Sequence, residues 1–251
     1  METKGRSPRA RMSAGDDHGY RESVTADDVW LVVPLFNEER VIGDVVRSVR
    51  QTYPNIVCVD DGSSDNSAAR AAAAGAVVVR HPVNLGQGAA LQTGIDYVLS
   101  RPGATWIVTF DADGQHQLQD VSAMLDRARR EDLDVVFGSR FLDERTDAGL
   151  LKKAVLKLAV TYTNLSTSTR LTDAHNGLRV IHVRAAAQLD ITQNRMAHAS
   201  ELVAQLGKMT IEGRQIRYGE EPVHILYTEY SKSKGQSLWN AVNILAELII
   251  R

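Results

Sequence analysis

The stretch WIVTFDADGQHQ, residues 106–117, joins an apolar strand to two aspartates one residue apart. Asp111 and Asp113 follow a run of apolar residues that is typical of a buried strand. Two ionised carboxylates this close repel each other, and their partial burial is costly unless something compensates the charge. One interpretation is a surface turn, because Asp and Gly are turn formers. The other is a site for a divalent cation.

Apolar runs and segments with helical periodicity alternate on both sides of this stretch. The predicted strands span residues 29–34, 55–60, 76–80, 105–111 and 134–139, with helical segments between them. This order predicts an α/β fold, a Rossmann-like and mostly parallel sheet with helices on both faces. The near-continuous Val and Ile runs fit strands that are buried on both sides. Beyond residue 140 the pattern predicts a helix at 199–209 and short strands near 214–218 and 222–227.

Polar residues follow several of these strands at the edge where a parallel sheet gathers its ligands. Asp111, Asp113 and the Gln115 carbonyl offer oxygen ligands, which suit Mg²⁺ or Mn²⁺ bound partly by the phosphates of a substrate. After the second strand, Asp60 or Asp61 could accept hydrogen bonds from a nucleotide, and Phe36 could flank its base.

A glycine pair precedes the third helix. Gly86 and Gly88 would let the backbone approach a phosphate at the amino end of this helix, although a plain turn explains the pair equally well.

Composition limits the remaining classes of function. A chain of 251 residues with a net charge of -2 suits one large domain and no strong attraction to nucleic acid. The single cysteine, Cys58, excludes a disulfide framework, and no run reaches the roughly 18 apolar residues of a transmembrane helix. Residues 1–27 are polar and are interpreted as a disordered tail. The expected location is the cytoplasm, with peripheral contact at the inner face of the cell membrane as the alternative.

Five motifs, VVPLFNEE, VDDGSSD, NLGQGAA, DADGQH and FGSR, occur in the order and spacing of family two glycosyltransferases with the GT-A fold. The sequence resembles most closely the polyprenyl-phosphate sugar transferases, the dolichyl-phosphate mannose synthase group. The resemblance covers residues 29–240 and includes TDAHNGLR (172–179), ASEL (199–202) and YSKSKGQS (230–237). It implies a GT-A domain over 28–235 and an inverting transfer of a sugar from a UDP- or GDP-sugar.

The resemblance also implies roles for individual residues. Asp111, Asp113 and Gln115 match the metal positions, with Asp113 counted as catalytic. The positions that match nucleotide or phosphate sites are Pro34, Phe36, Glu38, Asp61, Gly86, Gly88, Arg140, Lys232 and Lys234. Two departures from the family pattern leave the identity of the sugar and of the nucleotide base open. Gln87 replaces a Lys found in many relatives, and Gly114 replaces a Leu frequent in the mannose synthases.

The nature of the acceptor decides whether a general base is needed. A lipid phosphate is already a nucleophile, whereas a hydroxyl acceptor requires a carboxylate to take its proton. Asp173 and Glu201 are the candidates for that base, although Asp173 could order a turn and Glu201 could suit the dipole at a helix start. We expect a polyprenyl phosphate, because the YSKSKGQS loop is cationic and residues 236–251 predict an apolar helix.

Several alternatives stay open from the sequence. The helix at 236–251 would either pack on the core or meet a membrane surface or a membrane-protein partner. A non-catalytic protein that binds sugar nucleotides and a sugar-1-phosphate nucleotidyltransferase are the rival functions, and PLFNEER does not match the glycine-rich signature of the latter. A homodimer is an open alternative to a monomer.

Overall fold

The computed structural model describes residues 26–142, 169–195 and 197–226. The strands are β1 (Val29–Leu35), β2 (Asn55–Asp60), β3 (Val77–Arg80), β4 (Trp106–Thr109), β5 (Val135–Ser139), β6 (Arg179–His182), β7 (Thr210–Ile211), β8 (Arg214–Gln215) and β9 (Tyr218–Pro222). The helices are α1 (Ile42–Arg50), α2 (Ser67–Ala73), α3 (Gln87–Leu99), α4 (Leu118–Arg130), α5 (Val183–Ala186) and α6 (His198–Lys208). A short 3-10 turn, Ala26–Asp28, precedes β1.

Seven of these strands form one sheet in the order β3-β2-β1-β4-β6-β5-β9. Strand β6 pairs antiparallel with β4 and with β5, and the other pairs in the sheet are parallel. The prediction of a mostly parallel α/β sheet is therefore confirmed. The predicted strand at 222–227 is wrong within the described residues, because β5 ends at Ser139, which pairs with Pro222 and accepts a last backbone hydrogen bond from the Val223 N–H. Residues 223–226 leave the sheet instead.

The alternation of side chains along the buried strands divides the core between the two faces of the sheet. Leu31 and Val33 of β1 join the cluster with helices α1, α2 and α4, whereas Val32 joins the cluster with α3, α5 and α6. Helix α3 lies especially close to the sheet at Gly94. A Cβ atom added there would lie 2.3 Å from Val32 Cγ1.

This topology gathers several chain segments at one edge of the sheet. The carboxyl ends of β1, β2, β4 and β5 lie there, and the reversed strand β6 begins at the same edge, because Arg179 pairs with Thr109 and with Phe137. No helix in the described ranges is long and apolar enough to cross a membrane. The predicted tail, apart from its last two residues, and the predicted helix at 236–251 fall outside the described residues.

Candidate active site

Asp111 lies just beyond β4, and its side chain is 33% exposed. The Oδ2 atom is 3.0 Å from His116 Nε2, and Oδ1 accepts a hydrogen bond of 3.4 Å from Gln87 Nε2. Burial alone would raise the pKa of Asp111. The hydrogen bond and the electrostatic interaction with His116, together with the positive charge of Arg179, outweigh that effect and hold the pKa below its ordinary value. Asp111 is therefore ionised at neutral pH and held in one orientation.

Asp113 lies on the same turn in a different electrostatic environment. Its Oδ1 accepts a 3.0 Å hydrogen bond from the Gln115 backbone N–H, across a turn in which Gly114 has a φ of 74°. Burial, followed by the negative charge of Asp111, raises the pKa of Asp113 to about 6, and Glu38 adds to this effect. The repulsion anticipated from the sequence is therefore present in the folded protein.

Residues 111–115 form a turn that we call the acidic turn. It offers two carboxylates and the side-chain amide oxygen of Gln115, which are hard oxygen donors of the kind that Mg²⁺ and Mn²⁺ prefer. Within the ranges that the structure describes, no three His, Cys, Asp or Glu side chains group together so as to hold a metal ion. The phosphates of a nucleotide are oxygen ligands that could complete the coordination of a cation at this turn.

Arg179 is a residue of this site that the sequence reasoning missed. Its side chain is almost completely buried, and its Nε and Nη2 atoms have no hydrogen-bond partner among the described residues. Burial lowers the pKa of this guanidinium to about 10, against the opposing effects of Asp111 and Asp173. Arg179 remains charged at neutral pH as a buried cation between the two acids. The sequence feature that could have identified Arg179 is its charge inside the mostly apolar run LRVIHV.

Arg140 and Asp173 form a two-point ion pair beyond β5. Asp173 Oδ2 accepts from Arg140 Nε at 2.6 Å and from its backbone N–H at 3.1 Å, and Oδ1 accepts from Nη2 at 2.9 Å. Burial raises the pKa of Asp173, but the charge and hydrogen bonds of Arg140 hold it below its ordinary value. A carboxylate held in this way is a poor proton acceptor.

Asp61 lies at the end of β2, with its carboxylate turned towards the chain that follows β3. The backbone N–H groups of Leu85 and Gly86 donate to it at 2.9 and 2.7 Å, and His81 Nδ1 is 2.7 Å from Oδ1. His81 in turn lies 2.9 Å from Thr93 Oγ1 on α3. No sequence motif indicated a role for His81. Asp61 is thus placed to order the glycine-rich segment, which we define as residues 84–88.

The two predicted phosphate-site glycines have close backbone neighbours. A Cβ atom at Gly86 would lie 2.1 Å from the Asn194 carbonyl oxygen, and one at Gly88 would lie 2.0 Å from that of Gln193. Gly86 also has a φ of 106°, which side chains rarely adopt. Both positions therefore require glycine for packing against residues 193–194, before any ligand is considered.

Glu201 lies in the first turn of α6 and binds the same stretch of chain. It accepts hydrogen bonds from the backbone N–H groups of Thr192 and Gln193 and from the Thr192 hydroxyl. The predicted alternative, in which Glu201 only favours the helix dipole, thus omitted its main contacts.

The loop after β1 borders the same edge. Phe36 is 45% exposed, so its ring is available for stacking. The backbone N–H groups of Asn37 and Glu38 donate to the hydroxyls of Ser63 and Ser67, which join this loop to the chain after β2. Pro34 lies within β1 and pairs with Val59, so it sits in the sheet behind the loop.

Residues 223–226 run alongside the acidic turn. The Leu226 N–H donates to the Gln115 carbonyl at 2.9 Å, and Gln117 Nε2 donates to the His224 carbonyl at 2.9 Å. Lys232 and Lys234 fall outside the described residues.

Comparisons with known proteins identify the family of the chain. The family model described as Glycosyl transferase family 2 matches residues 30–189. An uncharacterized protein of Methanocaldococcus jannaschii is 34% identical, over 91% of this chain and 93% of its own. A UDP-N-acetylglucosamine–dolichyl-phosphate N-acetylglucosaminyltransferase of Methanococcus voltae is 29% identical, over 88% and 95%. A polyprenol monophosphomannose synthase of Mycolicibacterium smegmatis is 28% identical, over 85% and 82%.

Solved structures share the fold at lower identity. Glucosyl-3-phosphoglycerate synthase of Mycobacterium tuberculosis, in complex with Mn²⁺, UDP-glucose and phosphoglyceric acid, superposes with a TM-score of 0.63 at 17% identity. The superposition covers 89% of this chain and 79% of that one. The fold of the chain is therefore that of a GT-A glycosyltransferase, as the sequence predicted.

Proposed function

Because the chain belongs to glycosyl transferase family 2, we propose that this glycosyltransferase moves a sugar from a nucleotide-diphosphate sugar to a polyprenyl phosphate, with inversion at the anomeric carbon. The choice of acceptor rests on one observation: the two carboxylates predicted as general bases already accept hydrogen bonds from other residues. Asp173 is bound at two points by Arg140, and Glu201 is bound by residues 192–193. A hydroxyl acceptor needs a carboxylate to take its proton, whereas a phosphate monoester does not.

The names of two relatives support the same acceptor class. The proteins of Methanococcus voltae and Mycolicibacterium smegmatis are named for transfer to dolichyl phosphate and for synthesis of a polyprenol monophosphate sugar, and both align over most of this chain. The arrangement of Arg140 fits a lipid phosphate. Asp173 fixes the plane of the Arg140 guanidinium, and the positive charge of the guanidinium would attract an anion at the edge of the sheet.

Asp111, Asp113 and Gln115 would hold Mg²⁺ or Mn²⁺ together with the donor diphosphate. When bound, the metal ion neutralises the negative charge that develops on the diphosphate as its bond to the sugar breaks. His116 and Gln87 orient the Asp111 carboxylate, and the buried positive charge of Arg179 stabilises its ionised form. Phe36 and Asp61 would contact the nucleotide, with Lys232 and Lys234 near its phosphates. An oxygen of the acceptor phosphate then attacks the face of the anomeric carbon opposite the leaving diphosphate.

The test identifies the donor first and the acceptor second. UDP- and GDP-sugars are screened with Mn²⁺ by thermal shift, because a ligand of the folded state raises its apparent stability. The stabilising donor is then incubated separately with undecaprenyl phosphate and with a panel of soluble glycosides. We expect an organic-extractable product that mild acid hydrolyses. Transfer only to soluble hydroxyls would overturn the proposed acceptor, and binding without turnover would favour a non-catalytic sugar-nucleotide-binding protein.

A further inference from the structure

We infer that Glu201 is a positioning residue for the nucleotide donor, which acts by holding the glycine-rich segment against the acidic turn. It does so through residues 192–194, which we call the 192–194 turn. The inference rests on the proposed function only for the identity of the ligand, a nucleoside diphosphate with a divalent cation.

The first step is the contact between Glu201 and the 192–194 turn. The Thr192 hydroxyl donates to Oε1 at 2.5 Å, and the Gln193 N–H donates to Oε2 at 2.8 Å. The Thr192 N–H lies 3.2 and 3.1 Å from the two carboxylate oxygens. Three donors converging on one carboxylate fix both the side chain and the turn, since hydrogen bonds to an ionised acceptor are among the stronger ones.

The second step is the contact between this turn and the glycine-rich segment. The Gly88 N–H donates to the Asn194 carbonyl at 3.0 Å. The carbonyls of Gln193 and Asn194 fill the space beside Gly88 and Gly86, so closely that no Cβ fits at either glycine. The 192–194 turn therefore packs directly against one side of the glycine-rich segment. Asp61 holds that segment from the other side, through the N–H groups of Leu85 and Gly86.

The third step leads from the glycine-rich segment to the acidic turn. Gln87, between the two glycines, directs its Nε2 to Asp111 Oδ1 at 3.4 Å. A shift of the segment away from the 192–194 turn would carry Gln87 away from Asp111. It would also move the amino end of α3, which begins at Gln87 and whose N–H groups favour a phosphate. Loss of Glu201 should thus weaken donor binding through this displacement, although Glu201 itself does not touch the donor.

The decisive variant is Glu201→Gln, which keeps the size of the side chain but places an amide nitrogen where a carboxylate oxygen accepts hydrogen bonds. The matched control is Gln205→Ala, one turn further along α6. Gln205 forms hydrogen bonds with the backbone of Asp190, which lies in the connection between α5 and α6 but precedes the 192–194 turn. Calorimetric titration with UDP and Mn²⁺ measures donor binding, and amide hydrogen exchange of residues 84–92 measures how firmly the glycine-rich segment is held.

For Glu201→Gln we expect about tenfold weaker binding of UDP and Mn²⁺, comparable to the loss of one hydrogen bond to a charged group. We also expect faster exchange in residues 84–92, with Gln205→Ala close to wild type in both measurements. Thr192→Val, which removes only the hydroxyl donor, should change both in the same direction by less. This variant also preserves the test if Glu201→Gln fails to fold.

A general base would behave differently. If Glu201→Gln lowers turnover while UDP affinity and exchange stay at wild-type values, the inference is overturned and Glu201 returns as a candidate base. If wild-type protein binds neither UDP nor GDP with Mn²⁺, the proposed function fails. The exchange measurement still decides whether Glu201 holds the glycine-rich segment.

Discussion

Asp134 offers a quantitative test of the electrostatics at the edge of the sheet opposite the acidic turn. Its fully buried carboxylate accepts hydrogen bonds from Arg184 Nε at 2.6 Å, from both terminal nitrogens of Arg214 at 2.6 and 2.9 Å, and from the Arg217 N–H at 2.7 Å. Burial raises its pKa, but these donors lower it from 3.8 to about 2. At about 1.4 kcal/mol for each pKa unit, a difference of about 1.8 corresponds to roughly 2.5 kcal/mol of stability at pH 7.

The sign of the pH dependence follows from the lowered pKa. The stabilisation is complete well above the pKa of the unfolded chain, near 3.9, and is lost as the pH falls towards about 2, so about half should remain at pH 3. We expect Asp134→Asn to lower the free energy of unfolding by at least about 2 kcal/mol at pH 7, in urea denaturation, and by a smaller amount at pH 3.

Asp132 provides the matched control, two residues earlier. Its side chain is 66% exposed and pairs with Arg184 and Arg217, and its φ of 47° suits Asn as well as Asp. Asp132→Asn should cost less than about 1 kcal/mol, as exposed ion pairs do. Equal effects of the two substitutions, or an Asp134→Asn effect that does not change between pH 7 and pH 3, would refute the reasoning.

Three further predictions concern function. Asp113→Ala should lower turnover at least about 100-fold, equivalent to roughly 3 kcal/mol of transition-state stabilisation, and full wild-type activity in excess EDTA would contradict the metal assignment. Gly177→Ala places a Cβ 2.3 Å from Asp111 Oδ2 and should raise the Mn²⁺ concentration for half-maximal activity about tenfold; an unchanged Mn²⁺ titration would show that Asp111 tolerates displacement. A chain ending at Gly235 should float with anionic liposomes less than the full chain, since it lacks the apolar residues 236–251; equal flotation would count against their membrane role.

The central parallel strands β2, β4 and β5 were predictable because they are buried on both faces. Strand Asn55–Asp60 was predicted to the residue, since its apolar β-branched run ends abruptly at a charged turn, and the other four strands up to residue 139 were predicted to within one to three residues. The strand at 222–227 was not, because its pairing depends on where β5 ends and leaves no trace in its own sequence.

The site was predictable where a role belongs to one motif and unpredictable where it arises from contacts between distant segments. The acidic turn could be recognised from Asp111 and Asp113 alone. The contacts of Glu201 with Thr192 and of Asp61 with His81 join residues 9 and 20 positions apart, and no periodicity records them. The requirement for glycine at position 88 looked like an approach to phosphate. It has a nearer cause in a carbonyl more than a hundred residues away.

The reversed direction of β6 brings residues from two successive parts of the sequence to the same edge of the sheet. The proposed nucleotide and metal positions between residues 34 and 115 lie in or beyond parallel strands, whereas Arg140 follows β5 and Asp173 precedes the reversed strand β6. Most of the proposed donor contacts therefore precede residue 117, whereas the proposed acceptor contact, Arg140 held by Asp173, follows β5 at the same edge of the sheet. Relatives could exchange one acceptor for another by substitutions around Arg140 while residues 29–116 and the donor-positioning Glu201 stay unchanged. We therefore expect the acceptor class to diverge faster than the donor class among proteins with this topology.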